Sequence, residues 1–406
     1  MADASFPTTT PAVYVPVAGQ SLAVAGHIDD LHEKDRKEII ALGTKVGTGS
    51  SAPARAKALV ASGAGTSVWD TLARDNLLTN GDFRIWQRGT AAPTATDNAY
   101  GPDRWRLLLG AANAFTIDRE TSDVPTVGGK SGCKLTVGSG NNNKGGIFQV
   151  MEGISVKHLR GKKVSLQVSL KATAALTNTR IAVLEWTSTE DSTTGDPISA
   201  WNSVGTNPTL AANWAYLNTP ASLAVTTGHV IYRVENLTVG ASANNLAVLI
   251  WSDATTTTTT TDILRIFDAQ LEEGEVCTEV SRRSVGLELL LCQRFFIRIE
   301  DFGSSGARII AWGTAITTTV ARVYIMWPTT MRGTPTITYN GTKSQYAILN
   351  ASGGFAGTVS NVATVTNSVH TANIEVTTSA GLTAGDSTAL TGSGATTAII
   401  EAAAEI

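Results

Sequence analysis

The 406-residue chain has little charge and few aromatic rings: Asp, Glu, Lys and Arg make up 16% of it and Phe, Trp and Tyr 6%. A net charge of −3 gives no general drive toward nucleic acid or an anionic membrane surface. Cysteine is scarce. Cys133, Cys277 and Cys292 cannot all pair and form no C-x-x-C motif, which reads as buried free thiols in a protein assembled in a reducing cytoplasm. No apolar run reaches the ~18 residues of a membrane span, and the opening MADASFPTTTPAVYVP lacks the basic start and apolar core of a secretory leader. H-E-x-x-H, G-x-S-x-G and G-x-x-x-x-G-K-S/T are missing, and the five histidines (His27, His32, His158, His229, His370) are scattered. Carboxylate pairs such as Glu190-Asp191 and Glu272-Glu273 are sequence neighbours, unlike the spaced acid/base pair of a glycosidase. The sequence therefore reads as a binding or structural protein and not as an enzyme.

Gly, Thr, Ala, Ser and Val dominate what is present, so short strands with polar turns are expected over long helices, in two or three domains. Residues 1–26, with Pro7, Pro11 and Pro16, read as an extended arm of the kind that orders against a partner. Residues 27–75 read as a stem. Its helix carries one narrow apolar stripe, Ile28, Leu31, Ile39, Leu42 and Val46, which parallel copies around a shared axis would bury. Residues 76–280 show strand-like runs, among them VSLQVSL from Val164 to Leu170 and the all-apolar Leu246–Ile250, which suits a strand buried on both faces. A helix is expected over 281–300, with Val285, Leu289, Cys292 and Phe296 on its apolar face, and a second small β-sandwich over 301–406.

The stretch NLLTNGDFRIWQRGTAAPTATDNAYGPDRWR (residues 76–106) sets the framework. Asn80-Gly81 is a turn signal and predicts a first strand beside it. NLLTNGDF resembles the first strand of the carbohydrate-binding β-jelly-roll modules that accompany many glycoside hydrolases, and DAQLEEG (268–274) resembles their closing strand. The fuller set is GDFRIWQRGT, YGPDRWR, QLEEGEVCTEVSRRSVGLELLLCQRFF and MRGTPTITYNG. That set is similar to a family of phage and prophage fibre proteins, over roughly residues 76–406. The resemblance implies a jelly-roll sandwich, a connector helix and a C-terminal β domain, which with the extended arm and short helical stem read from residues 1–75 gives a mainly β protein. It also implies a virion appendage, and with the arm and stem the expectation is a homotrimeric virion fibre or spike, docked on other virion proteins by its arm and adhering to host surface glycans; the charge and the lack of a long apolar run point to neither nucleic-acid binding nor membrane insertion. A structural decoration or connector protein is the alternative, and a glycan-depolymerising tailspike the lesser one.

Sugar recognition needs flat rings to stack on a pyranose, with amides and carboxylates beside them for the hydroxyls. On that chemistry Trp201, Asn202 and Asp196 in the polar insertion 187–210, together with Phe355, are the candidate contacts; Trp86, Trp105 and Trp214 are expected to be structural. No cofactor is expected. The jelly-roll resemblance implies a structural calcium, for which Asp82 and Asp268 are the weak candidates, with Arg84 standing where an acidic residue is common.

Overall fold

The computed structural model describes residues 57–61 and 67–71 as backbone, and residues 74–406 apart from 91–95, 139–143, 174–175, 177, 254–261, 301–307, 340–341 and 394–397. Strand β1 (Lys57–Ala61) pairs with β2 (Ser67–Thr71). The expected arm and the stripe of Ile28, Leu31, Ile39, Leu42 and Val46 lie outside the described residues.

Beyond Arg74 the protein is mainly β. One five-stranded sheet runs β11 (Trp214–Tyr216), β8 (Thr179–Trp186), β13 (Asn245–Ser252), β6 (Gly145–Val150), β3 (Arg106–Leu109). The second runs β12 (Val230–Thr238), β7 (Lys163–Ala172), β14 (Ile263–Glu273), β5 (Gly132–Val137), β4 (Phe115–Glu120). Every pairing is antiparallel. Alternate residues of both sheets, such as Val183, Val248 and Ile250 against Leu135, Leu166 and Ile266, fill the space between them. The first sheet is apolar on its outer face too: Leu108, Phe148, Leu184, Trp186, Trp214, Leu249 and Trp251 form a second cluster. That face is covered by the hairpin β9 (Ile198–Ala200) and β10 (Thr209–Leu210), and by Phe295 and Ile406 from the far end of the chain.

The opening motif departs from expectation. Asn76–Phe83 forms no regular strand. It lies along β14 instead, where Leu77 N–H donates to Leu271 and Asn76 Nδ2 to the Ala269 carbonyl. Asn80 and Phe83 both take left-handed φ of 55°, which breaks a ladder, and the backbone at Gly81 sits so close that a Cβ would stand 2.2 Å from the Ala269 oxygen. Trp86 and Trp105 are buried, with Nε1 bonded to the Phe83 and Asn80 carbonyls at 2.7 and 3.1 Å. Trp105 also meets the Phe83 ring at 5.1 Å.

Helix α1 spans only Val285–Gln293, capped by Ser284, and β15 (Phe296–Glu300) begins where the helix was expected to continue. Its buried residues are Glu288 and Cys292, while Val285, Leu287 and Leu290 are exposed. Polar bonding sets this rotation. Glu288 accepts the Asn80 N–H and pairs with Arg283, whose guanidinium also donates to the carbonyls of Leu78 and Asn76. An unpaired carboxylate there would cost more than the exposed leucines do.

In the second sandwich, β15, β23 (Ile399–Ala403) and β18 (Thr336–Tyr339) form a three-stranded sheet. The six-stranded sheet opposite runs β19 (Tyr346–Leu349), β22 (Ser387–Gly392), β16 (Ile309–Ala315), β17 (Val320–Met326), β21 (Thr371–Thr378), β20 (Val359–Asn367). Ile325, Ile348, Ile374, Leu390 and Ile400 centre its core. Motif residues lock the two sandwiches together. Glu405 is gripped by Arg88 (3.1 Å) and Arg104, whose guanidinium carbons lie 3.4 Å over the Phe296 ring and 3.5 Å over the Phe295 ring. Arg294 makes a two-pronged pair with Glu152 at 2.9 and 3.0 Å, and Gln87 Nε2 donates to the Phe296 carbonyl at 2.8 Å. The GDFRIWQRGT, YGPDRWR and CQRFF segments are thus the joint of the molecule.

Candidate functional site

The insertion brings Trp201, Asn202 and Asp196 onto one hairpin, yet most of their polar capacity is used inside it. Asp196 Oδ1 accepts the Ile198 N–H at 2.7 Å; burial raises its carboxyl, against that N–H, with Asp97 raising and Arg106 lowering it further. Asn202 Nδ2 donates to the Asn207 carbonyl at 2.7 Å and to Thr209 Oγ1 at 3.0 Å. Trp201 is half-buried and packs on the outer apolar cluster, its ring base 3.2 Å from where a Gly110 Cβ would stand. Phe355 is not brought to this group. It sits on the second sandwich, 56% exposed, at a cavity of about 260 Å³ shared with Tyr346 and Thr358. There the loops around 352–357 and 381–387 come together through Gly357 N–H to Ala380 (2.8 Å) and Asn350 Nδ2 to Gly381 (3.3 Å).

A cleft of about 520 Å³ lies on the outer face of the second sheet of the first sandwich, and of the site residues expected from sequence only Asp268 lines it. Its floor is Gln167 and Ser169 of β7, both nearly fully buried, with Gln167 Nε2 donating to the Thr278 carbonyl. One wall is His229, Ile231 and Arg233 at the start of β12; the other is the segment Cys277–Arg282, with Val127 and Gly128 closing the end. The second wall is pinned to the sheet by the closing strand. Glu272, wholly buried, accepts the Thr278 N–H and hydroxyl, both at 2.6 Å; Gln270 bonds the Ser281 N–H at 2.6 Å and the Glu279 carbonyl at 3.2 Å. Such a pinned wall makes the cleft preformed, with little ordering left to do on binding.

The cleft offers acceptors and donors of both signs. Arg233 and Glu279 are exposed, and His229 stands edge-on to Phe267 at 5.0 Å with Nε2 3.4 Å from Asp123 and a buried Nδ1 that has no partner among the described residues. Ile231 (49% exposed) and Val127 (89%) add apolar surface at the rim. A cleft of this volume lined by neutral amide, hydroxyl and paired charge suits a polyhydroxylated neutral ligand. Nearby, Glu120 is held down to about 2: burial pushes it up, and the Ser122 hydroxyl, the Asp123 and Ser122 N–H groups and Arg265 outweigh that. Cys277 is half-buried, and burial with Glu235 beside it pushes its thiol up to about 12, which removes it as a nucleophile.

Calcium does not fit the two aspartates suggested for it. Asp82 is paired with Arg84, and burial raises its carboxyl, with Glu288 and Asp268 adding to the rise. Asp268 is paired with Arg282 at 2.8 Å and accepts the Gly129 N–H at 2.9 Å. A divalent ion at either carboxylate would meet a guanidinium in contact, and no group of three or more His, Cys, Asp or Glu with metal-binding geometry occurs among the described residues.

No protein-family model matches the chain, and no curated protein matches it. Solved structures similar to it include the enzymatically active domain of tailspike protein 4 of bacteriophage CBA120 (11% identity, TM-score 0.29, covering 49% of this chain and 21% of that one). A family 61 carbohydrate-binding module in complex with β-1,4-galactotriose is 12% identical (TM-score 0.28, covering 49% of this chain and 99% of that one). A xylan-binding family 22 module from Paenibacillus barcinonensis is 12% identical (TM-score 0.26, covering 50% of this chain and 98% of that one). This chain thus spans about a fifth of the tailspike domain and nearly all of each binding module.

Proposed function

We propose that the chain is a glycan-adhesion subunit of a phage virion fibre or spike, a homotrimer attached to other virion proteins through residues 1–26. It binds and does not cleave. The observation that carries the binding half is the preformed cleft, whose exposed Arg233 and Glu279 flank a polar floor and match the hydroxyl-rich face of a host surface saccharide. The ordered set of fibre-like motifs supports the virion half. Multivalent presentation would let a weak single cleft hold a cell, since linking sites multiplies avidity without new contacts. A second reading, a connector between virion neighbours, is favoured by the exposed Val285, Leu287 and Leu290 on α1.

The test probes the full chain against an array of purified bacterial O-antigen and capsular polysaccharides, beside Arg233→Ala and Glu279→Ala, with mass measured by light scattering. Retention of some polysaccharide by a trimer, weakened tenfold or more in both variants, is the expected result. A chain that retains none, or whose retention ignores both variants, contradicts the cleft reading; a monomer contradicts the fibre.

A further inference from the structure

The second sandwich carries a ring pair that its core does not need. Outward positions of β16 and β17 place Trp312 directly opposite Tyr324 in the antiparallel register, 63% and 54% exposed, with Met326 two positions further along at 81%. Among the described residues neither the Trp312 indole N–H nor the Tyr324 hydroxyl has a hydrogen-bond partner. The same row continues onto β21 with Asn373, whose Oδ1 is buried. In the next row Arg322 faces Glu375, with Nε and Nη2 both 3.2 Å from one carboxylate oxygen.

We infer that this face is a second saccharide-binding platform, taking neutral or weakly charged sugar rings on Trp312 and Tyr324 and their hydroxyls on Arg322 and Glu375. Two flat rings on adjacent strands, ~4.8 Å apart, offer stacking to successive sugars, while the forked Arg322–Glu375 pair in the next row offers both acceptors and donors. The chemistry separates this from a protein contact. The exposed parts of Trp312, Tyr324 and Met326 amount to on the order of 400 Å², about half the ~800 Å² per partner of a stable protein interface. The outward residues of β21 beside them, Thr371, Asn373, Glu375 and Thr377, are polar.

The inference shares the ligand class of the reading above but not its site, so the two fail separately. The experiment compares the full chain with Trp312→Ala, Tyr324→Ala, Trp312→Phe and the cleft variant Arg233→Ala on the same polysaccharide array, with melting temperature and light-scattering mass for each. The expected result is at least one polysaccharide whose retention falls tenfold or more in Trp312→Ala and Tyr324→Ala, is largely kept in Trp312→Phe, and survives Arg233→Ala, all at unchanged mass and melting temperature. Wild-type retention in both alanine variants overturns the platform and leaves the cleft reading intact. A drop in mass in either alanine variant overturns it in favour of a contact between copies, and a wild-type chain retained by nothing overturns both.

Discussion

Glu405→Gln tests how the two sandwiches are joined. The carboxylate is 10% exposed and bridges Arg88 and Arg104, themselves 16% and 4% exposed and stacked on Phe296 and Phe295. Removing its charge keeps the side-chain shape but leaves two guanidinium groups unbalanced at a dry joint. Breaking a buried pair costs ~3–5 kcal/mol, and because glutamine still offers one acceptor oxygen we expect about 3 kcal/mol. With a urea slope of ~3 kcal/mol per M, the midpoint should fall by about 1 M in equilibrium unfolding at pH 7. Burial alone would raise the Glu405 carboxyl, and Arg104 and Arg88 pull it below its ordinary 4.5. A carboxyl lowered in the folded state stabilises above its unfolded value and loses that contribution as pH falls through the folded one. The gap between wild type and Glu405→Gln is therefore full at pH 7 and closes below pH 4.5. A gap under 0.5 kcal/mol at pH 7 (about a third of a tenfold change in equilibrium constant), or one that persists unchanged in acid, would refute the joint.

Two further outcomes are expected. Glu120, held down to about 2, stabilises the fold above 4.5 and loses that contribution as pH falls from 4.5 toward 2; acid unfolding followed by tryptophan fluorescence should be shallower in Glu120→Gln, and an identical profile would show the bonds from Ser122 and Arg265 to be idle. Because Asp82 and Asp268 already hold Arg84 and Arg282, millimolar EDTA and millimolar calcium should each leave the melting temperature within about 2 °C, less than 1 kcal/mol in a domain of this size. A calcium-induced rise of 5 °C or more would mean that the arginines yield to the ion.

Much of the fold was legible in the sequence because alternation is a local signal. VSLQVSL and Leu246–Ile250 are strands as their patterns say, and the run apolar at every position, Leu246–Ile250, is buried on both faces. Helix α1 is shorter than its apolar spacing predicts and buries a different face, since its rotation is set by Glu288 reaching the Asn80 turn, a partner 208 residues away. The Asn80-Gly81 turn was legible, but not the left-handed Phe83 that ends any strand there. The fibre-like motifs pointed to the joint residues without revealing that Glu405 would close it. The candidate site was least legible. Gln167, Arg233 and Glu279 come from three separate segments, carry no mutual spacing, and meet only through the register of β7 with β12 and the bonds from Glu272 and Gln270. A lone tryptophan in a polar loop is a visible sequence signal for a sugar contact, yet Trp201 is half spent on capping the outer cluster.

Amide hydrogen exchange of the full chain, with and without a saturating polysaccharide whose retention Arg233→Ala weakens, measures directly where that saccharide sits. Slowed exchange at residues 229–236 and 276–282, the two walls of the cleft, is the predicted result. Slowed exchange confined to the hairpin 196–210, or no change in either wall, would contradict it.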